Sequence, residues 1–207
     1  MTALDRPLQR AGRILTGLAL YGFSLALLVE AGLGADPWTV FTQGVSGHTG
    51  LSLGQVVIVT SLALLLVWIP LRQRPGAGTL ANAVLVGPAL DLSLTVLPTP
   101  GHPALRAGFL AVAIIGTAVA TGLYIGAGWG PGPRDGLMTG LRDLGLPLFL
   151  ARAAIEIGVL FTGWLMGGRV GIGTVLFALA IGPAVGYALP RLRVADAHPS
   201  PLPARPF

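Results

Sequence analysis

Long apolar runs separated by short polar segments make up most of this 207-residue chain. A helix needs about 20 predominantly apolar residues to cross the hydrocarbon core of a bilayer, and six runs are close to that length. The pattern therefore predicts an all-α transmembrane protein with six spanning helices. The predicted spans are residues 13–31, 53–70, 78–97, 105–126, 148–167 and 170–189.

The second half of the chain repeats the short glycine-containing segments that separate the apolar runs of the first half. Three pairs of short glycine-containing segments match in the same order: 31–37 with 127–133, 76–79 with 171–174, and 87–89 with 182–184. Ordered matches at a nearly constant offset are typical of an internal duplication. We therefore predict a single membrane domain, 1–207, with repeat one at about 13–97 and repeat two at about 105–190. A disordered tail is expected at 191–207.

Each repeat contains three predicted spans, and three is an odd number. The second repeat must therefore enter the membrane from the side opposite to the first, as in many secondary transporters. Arginine positions agree, because cytoplasmic loops are enriched in positive charge. Only Arg106 and Arg169 lie in predicted outer loops. The predicted cytoplasmic segments contain Arg6, Arg10, Arg13, Arg72, Arg74, Arg134, Arg142, Arg191, Arg193 and Arg205. Both termini are therefore expected in the cytoplasm.

The first apolar run, 14–29, follows three arginines and is also compatible with a cleaved secretory signal. It matches the internal apolar run at about 110–125, which cannot be a signal. We therefore expect the first run to be retained as a membrane span.

A short amphipathic segment follows the first span of each repeat, at residues 37–47 and 133–143. A carboxylate suits the N-cap of the first segment, and a proline suits the first helical position of both. The segment is either a helix lying in the membrane interface or a half-helix that re-enters the bundle with its N-terminus toward a polar ligand. The candidate residues here are Asp36, Pro37, Trp38, Pro133, Arg134 and Asp135.

Four polar residues within the predicted spans form a second candidate site. Arg152 and Glu156 share a helix face, so they form either a structural ion pair or a substrate or proton site facing a cavity. Asp91 has no partner nearby in sequence, which leaves a protonated carboxyl group, a pair with an arginine of another helix, or a polar vestibule. Asn82 lies on the same helix as Asp91. None of the four is duplicated in the other repeat, so any site must be asymmetric.

Small residues spaced four apart suggest where the spans pack closely. Such pairs occur at Gly122 and Gly126, and at two further places in the second repeat: Gly163 with Gly167 and Gly182 with Gly186. We expect these glycines to allow close contact between helices.

Composition excludes several classes of protein. Hydrophobic residues make up 53% of the chain and charged residues only 10%. A chain with so little polar surface must have lipid as its outer solvent. The net charge of +5 is dispersed, with no basic face, and does not indicate nucleic-acid binding. The chain has no cysteine, and its histidines have no metal-ligand spacing. We therefore expect no catalytic activity, cofactor or metal.

The ordered motifs Gly34-Ala35-Asp36-Pro37-Trp38 and Gly132-Pro133-Arg134-Asp135-Gly136, followed by Arg152-x-x-x-Glu156, resemble the YitT/YczE-like family of bacterial integral membrane proteins. The resemblance covers about residues 14–190. It implies a multi-spanning protein of the bacterial cytoplasmic membrane, in a family largely without an assigned activity. Six residues fall on recurrent polar positions of that family: Asn82, Asp91, Arg134, Asp135, Arg152 and Glu156.

Two functional hypotheses follow. The first is a transporter or permease for a small solute, with its site between the two repeats and a water-accessible cavity lined by Asp91, Arg152 and Glu156. The alternative is a membrane protein that transports nothing and docks, stabilises or regulates a partner, with the same groups paired in a dry bundle. The expected partners are the lipid bilayer together with a small solute, a second copy of the chain or another membrane protein.

Overall fold

The computed structural model describes residues 5–194, and this part of the chain contains eight α-helices and no strand. Each of the six predicted spans overlaps one of the six longer helices, and the two predicted amphipathic segments are the two shortest helices. The all-α prediction is therefore confirmed. The helices are α1 (Asp5–Ala31), α2 (Pro37–Thr49), α3 (Leu53–Trp68), α4 (Ala77–Val96), α5 (Pro103–Gly126), α6 (Pro133–Asp143), α7 (Leu148–Leu165) and α8 (Ile172–Leu192).

Five helices in the described range are long and apolar enough to cross a membrane: α1, α4, α5, α7 and α8. The exception among the predicted spans is α3, which has only 16 residues. Together with α2 it forms a pair bent by 110°, which counts as a sixth span or as a re-entrant segment. The helix at the predicted span 53–70 is therefore shorter than expected.

Helices α1 and α5 pack against each other at the centre of the molecule, α4 covers α1, and α8 covers α5. Glycines allow the central contact, because a β-carbon at Gly17 would lie 3.0 Å from Leu123 and one at Gly116 would lie against Ser24. The core around this pair includes Leu18 and Tyr124, both nearly fully buried. The α1–α5 pair is thus the scaffold on which the other helices are placed.

Each glycine-rich break between the first span and the short helix contacts the other repeat. In the first break (residues 31–36), the carbonyl oxygen of Leu33 accepts a hydrogen bond of 2.8 Å from the Gly173 amide. In the second break (residues 127–132), the carbonyl oxygen of Trp129 accepts one of 2.8 Å from the Gly78 amide. The glycines that match between the repeats are therefore those that bring the breaks onto the starts of α8 and α4.

The two halves differ in how their last two spans pack. Helix α3 lies along α4, whereas α7 and α8 have almost no contact in the described part of the chain. A β-carbon added at Gly182 or Gly186 on α8 would meet no atom within 4 Å. The prediction of close packing at these two glycines is therefore wrong within a single chain. It holds for Gly122 and Gly126, which lie against the end of α8.

Helix α8 ends at Leu192, whose carbonyl oxygen accepts a hydrogen bond of 2.5 Å from Arg13. The amide of Val194 donates to the carbonyl oxygen of Gly126 at 3.0 Å. Residues 191–194 thus lie against the helix bundle. The rest of the predicted disordered tail, 195–207, lies outside the described residues.

Candidate functional site

The N-termini of α2 and α6 approach each other inside the bundle. Asp36 precedes α2 and is only 2% exposed, and its Oδ2 lies 3.6 Å from Nη1 of Arg134 in the first turn of α6. The prolines that begin the two helices, Pro37 and Pro133, are also buried. A helix lying on the surface of the bundle would expose such a first turn. The predicted segments 37–47 and 133–143 instead direct their N-termini inward.

Hydrogen bonds fix the two carboxylates at these N-termini. Asp36 accepts a hydrogen bond from the hydroxyl group of Thr39. Asp135 Oδ2 accepts one of 3.0 Å from the Tyr124 hydroxyl and one of 3.2 Å from the Gly132 amide. Because a helix N-terminus carries partial positive charge, each carboxylate stabilises the helix start beside it. Both acids are therefore part of the local structure as well as candidates for ligand contact.

Aromatic side chains surround Arg134. Its guanidinium lies over the ring of Tyr21, 5.5 Å from the ring centroid. That distance is typical of a cation–π contact. The Tyr21 and Tyr124 rings pack edge to face with centroids 6.1 Å apart. The indole nitrogen of Trp68 donates a hydrogen bond of 2.8 Å to the carbonyl oxygen of Pro133. These contacts hold the start of α6 against α1, α3 and α5.

Two cavities flank the contact between Asp36 and Arg134. The first, which we call the α4 cavity, lies among α1, α3, α4 and the starts of α2 and α6, with a volume of about 70 Å³. Asn82 contributes to its polar wall. The second, the α8 cavity, lies among α2, α5, α6, α7 and α8, with a volume of about 170 Å³. Four residues line both cavities: Asp36, Trp38, Tyr124 and Arg134.

The polar character of the α8 cavity comes in part from residues that the first repeat lacks. Arg152 and Glu156 line it, whereas the matching positions of the α4 cavity hold Val57 and Ser61. The predicted ion pair is present, with Arg152 Nε 3.0 Å from Glu156 Oε1. Arg152 is 51% exposed, so the pair is not fully enclosed by the helix bundle. Both residues line the α8 cavity and are also paired with each other.

Asp91 lies apart from the other three residues of the predicted intramembrane site. Its carboxylate accepts hydrogen bonds from the Ser52 hydroxyl at 2.5 Å and from the Gly54 amide at 2.7 Å, at the start of α3. A helix N-terminus therefore supplies its partners, instead of an arginine of another helix. Asp91 lines neither the α4 cavity nor the α8 cavity. The expectation that one cavity joins it to Arg152 and Glu156 is therefore wrong.

The sequence interpretation missed a polar stripe on α5. Thr117, Thr121 and Tyr124 all line the α8 cavity. Their spacing of four and then three residues places them on one helix face. The same spacing was visible in the sequence within an otherwise apolar run. This signal is the helical periodicity of hydroxyl groups, which the positions of charged residues do not reveal.

Comparisons with known proteins identify the family of the chain. The profile of DUF6198, a family of unknown function, matches residues 8–190. The chain belongs to this family. An uncharacterized protein of Haemophilus influenzae is 38% identical over 177 residues, which cover 85% of this chain and 81% of the relative. The uncharacterized membrane protein YczE of Bacillus subtilis is 34% identical over 180 residues, covering 84% of this chain and 83% of YczE.

The predicted resemblance to YczE-like proteins is thereby confirmed. A relative described as a membrane protein, together with several helices long enough to span a bilayer, identifies this DUF6198 member as a multi-pass membrane protein. No solved structure matches the chain.

Proposed function

We propose that this protein is a transporter or permease for a small solute in the bacterial cytoplasmic membrane, without catalytic activity. The observation that carries the proposal is the pair of half-helix N-termini meeting between two polar cavities. Discontinuous helices of this kind frame the substrate sites of many secondary transporters. The solute site would lie between the two repeats, where Asp36 and Arg134 separate the α4 and α8 cavities.

The reciprocal contacts of the two breaks support an inverted arrangement of the repeats. The first break lies on the start of α8, and the second break lies on the start of α4. If the repeats are inverted in the membrane, α8 begins on the outer side and α4 on the inner side. The two breaks would then enter the bundle from opposite faces, and both termini would lie in the cytoplasm, as the arginine distribution favours.

The contact between Asp36 and Arg134 is suited to act as a gate. Its atoms are 3.6 Å apart. A direct hydrogen bond between such groups is shorter, at about 3 Å. The contact joins two elements that belong to different repeats, so a relative movement of the repeats would change it directly. A solute that pairs with either charge would compensate for the lost contact, since an unpaired charge at this depth is costly.

The proposal is tested by asking from which side of the membrane each cavity can be reached. The natural chain contains no cysteine, so Asn82→Cys and Thr121→Cys each introduce a single thiol. A membrane-impermeant thiol reagent should label both variants in right-side-out vesicles and also in inside-out vesicles, because a transporter exposes its site alternately to each side. Labelling requires water, since the thiolate is the reactive form.

Leu92→Cys on α4 and Ile115→Cys on α5 are the matched controls, because both side chains are exposed apolar groups on the outside of the bundle. They should remain unlabelled in lipid from both sides. If Asn82→Cys and Thr121→Cys are also unlabelled, or are labelled from one side only, the transporter proposal is wrong. The alternative of a membrane protein that docks or regulates a partner would then be favoured.

A further inference from the structure

One buried hydroxyl group in the wall of the α8 cavity has no partner among the described residues. Thr117 is 1% exposed, and its Oγ1 makes no hydrogen bond within that part of the chain. Threonines in helices often bond a carbonyl of the preceding turn, as Thr162 does with Gly158. A buried polar group without a partner costs free energy unless something else satisfies it. The position of Thr117 in the cavity wall indicates that a ligand or solvent supplies the missing partner.

A second unsatisfied group lies in the same wall. The indole nitrogen of Trp38 is buried and, among the described residues, has no hydrogen-bond partner. Trp38 lines both the α4 and the α8 cavity. Because an indole N–H can only donate, its partner must offer an acceptor atom. The residues that line the cavity therefore include one with an unsatisfied donor and one with an unsatisfied hydroxyl group.

The charges around the α8 cavity nearly cancel. Three carboxylates and two guanidiniums line it, and the N-termini of α2 and α6 each add about half a positive charge. A ligand with a net charge would disturb this balance in a poorly solvated place, whereas an uncharged dipolar ligand would preserve it. Both signs are available to such a ligand. The charged groups are Asp36, Arg134, Asp135, Arg152 and Glu156.

We infer that the α8 cavity binds a small zwitterion, a molecule carrying one cationic and one anionic group and no net charge. The anionic group would contact Arg134, Arg152 and the Trp38 indole, and the cationic group would contact Asp36 or Glu156. The cavity has a volume of about 170 Å³. That space holds on the order of ten water-sized groups, which suits a short amino acid or a molecule of similar size. This inference rests on the proposed transport site and specifies its substrate class.

Binding is measured on the purified full chain in detergent micelles. The probes are glycine, β-alanine and 4-aminobutyrate, which differ in charge separation, together with propionate and propylammonium, which carry one charge each. At least one zwitterion should give a saturable rise in Tm and should slow the reaction of Thr121→Cys with a small thiol reagent. The two singly charged probes should do neither. A response to none of the zwitterions, or an equal response to propionate or propylammonium, would overturn the inference.

Thr117→Val tests the role of the unpartnered hydroxyl group and retains the shape of the side chain. We assign the Thr117 hydroxyl a hydrogen bond to a charged group of the zwitterion. Such a bond contributes about 1.5 kcal/mol or more, so its loss should weaken zwitterion binding at least about tenfold. Thr162→Val is the control, because that hydroxyl bonds within its own helix and does not line the cavity. Equal affinity in both variants would contradict the assigned contact. The binding tests can fail while both introduced thiols are still labelled from both sides of the membrane. That result would reject the zwitterion and leave the transport proposal standing.

Discussion

Gly34 and Gly130 occupy equivalent positions in the two breaks, and both have positive φ angles, 101° and 113°. Residues with a β-carbon rarely adopt such angles. There is also no space for a side chain, because a β-carbon at Gly34 would collide with Gly171, and one at Gly130 would lie 2.5 Å from the hydroxyl of Thr79. The two positions therefore require glycine for backbone conformation and for close approach.

We predict that Gly34→Ala and Gly130→Ala each destabilise the protein by at least about 2 kcal/mol, the sum of backbone strain and steric collision. The measurement is Tm and the folded fraction on size-exclusion chromatography in detergent. Gly101→Ala is the control, since it has no positive φ and nothing within 4 Å of the added carbon. A similar small loss in all three variants would show that the breaks tolerate side chains.

The distance between two residues along the chain explains which contacts between side chains were predictable from the sequence. Arg152 and Glu156 were predictable as a pair because one helix turn fixes their separation. Asp36 and Arg134 are far apart in the chain, and no local periodicity connects them. Their contact depends on how the two repeats dock. The structure was therefore needed to place the central contact of the site.

At the scale of the helix, the start of α3 is stabilised from two directions. Ser52 and Gln55 form a capping box within the helix, and the Asp91 carboxylate on α4 adds bonds to the Ser52 hydroxyl and the Gly54 amide. Negative charge at a helix N-terminus is favourable. Asp91 thus attaches a short helix to its neighbour, which explains a carboxylate far along an apolar span.

We therefore predict that Asp91→Ala lowers stability by about 1–2 kcal/mol and that Asp91→Asn, which retains an acceptor atom, has a smaller effect. Chemical or thermal unfolding in detergent measures the loss. Labelling of Thr121→Cys should be unaffected by either change, because Asp91 does not line the α8 cavity. An unchanged Tm combined with altered labelling would instead assign Asp91 to the transport path.

Helix positions were largely predictable, because a long apolar run is the characteristic sequence pattern of a membrane-spanning helix. The orientation of α2 and α6 was not, since an amphipathic pattern suits an interfacial helix and a re-entrant half-helix equally. The separation of α7 from α8 was also hidden, because glycines such as Gly182 allow packing without enforcing it. Tertiary contacts decided both features.

For the whole molecule, the proposed inverted arrangement of the repeats predicts the side of the membrane on which each loop lies. Reporter fusions after Arg193 and in the loop at 71–76 should both indicate the cytoplasm, and a fusion at His102 should indicate the outer side. The physical reason is the concentration of arginines in the loops assigned to the cytoplasm. A tail located outside would require an odd number of spans and would contradict the inverted arrangement.

Each break forms hydrogen bonds with the opposite repeat, and this affects how the chain folds while it is being synthesised. When the first repeat has been inserted, the Leu33 carbonyl still lacks the Gly173 amide, and the start of α4 lacks the second break. Neither repeat can complete its own hydrogen bonding. We therefore expect these hydrogen bonds of the first half to form only after the second half has been synthesised. Two separately expressed halves would each be poor folding units, yet each carries the surface that the other requires.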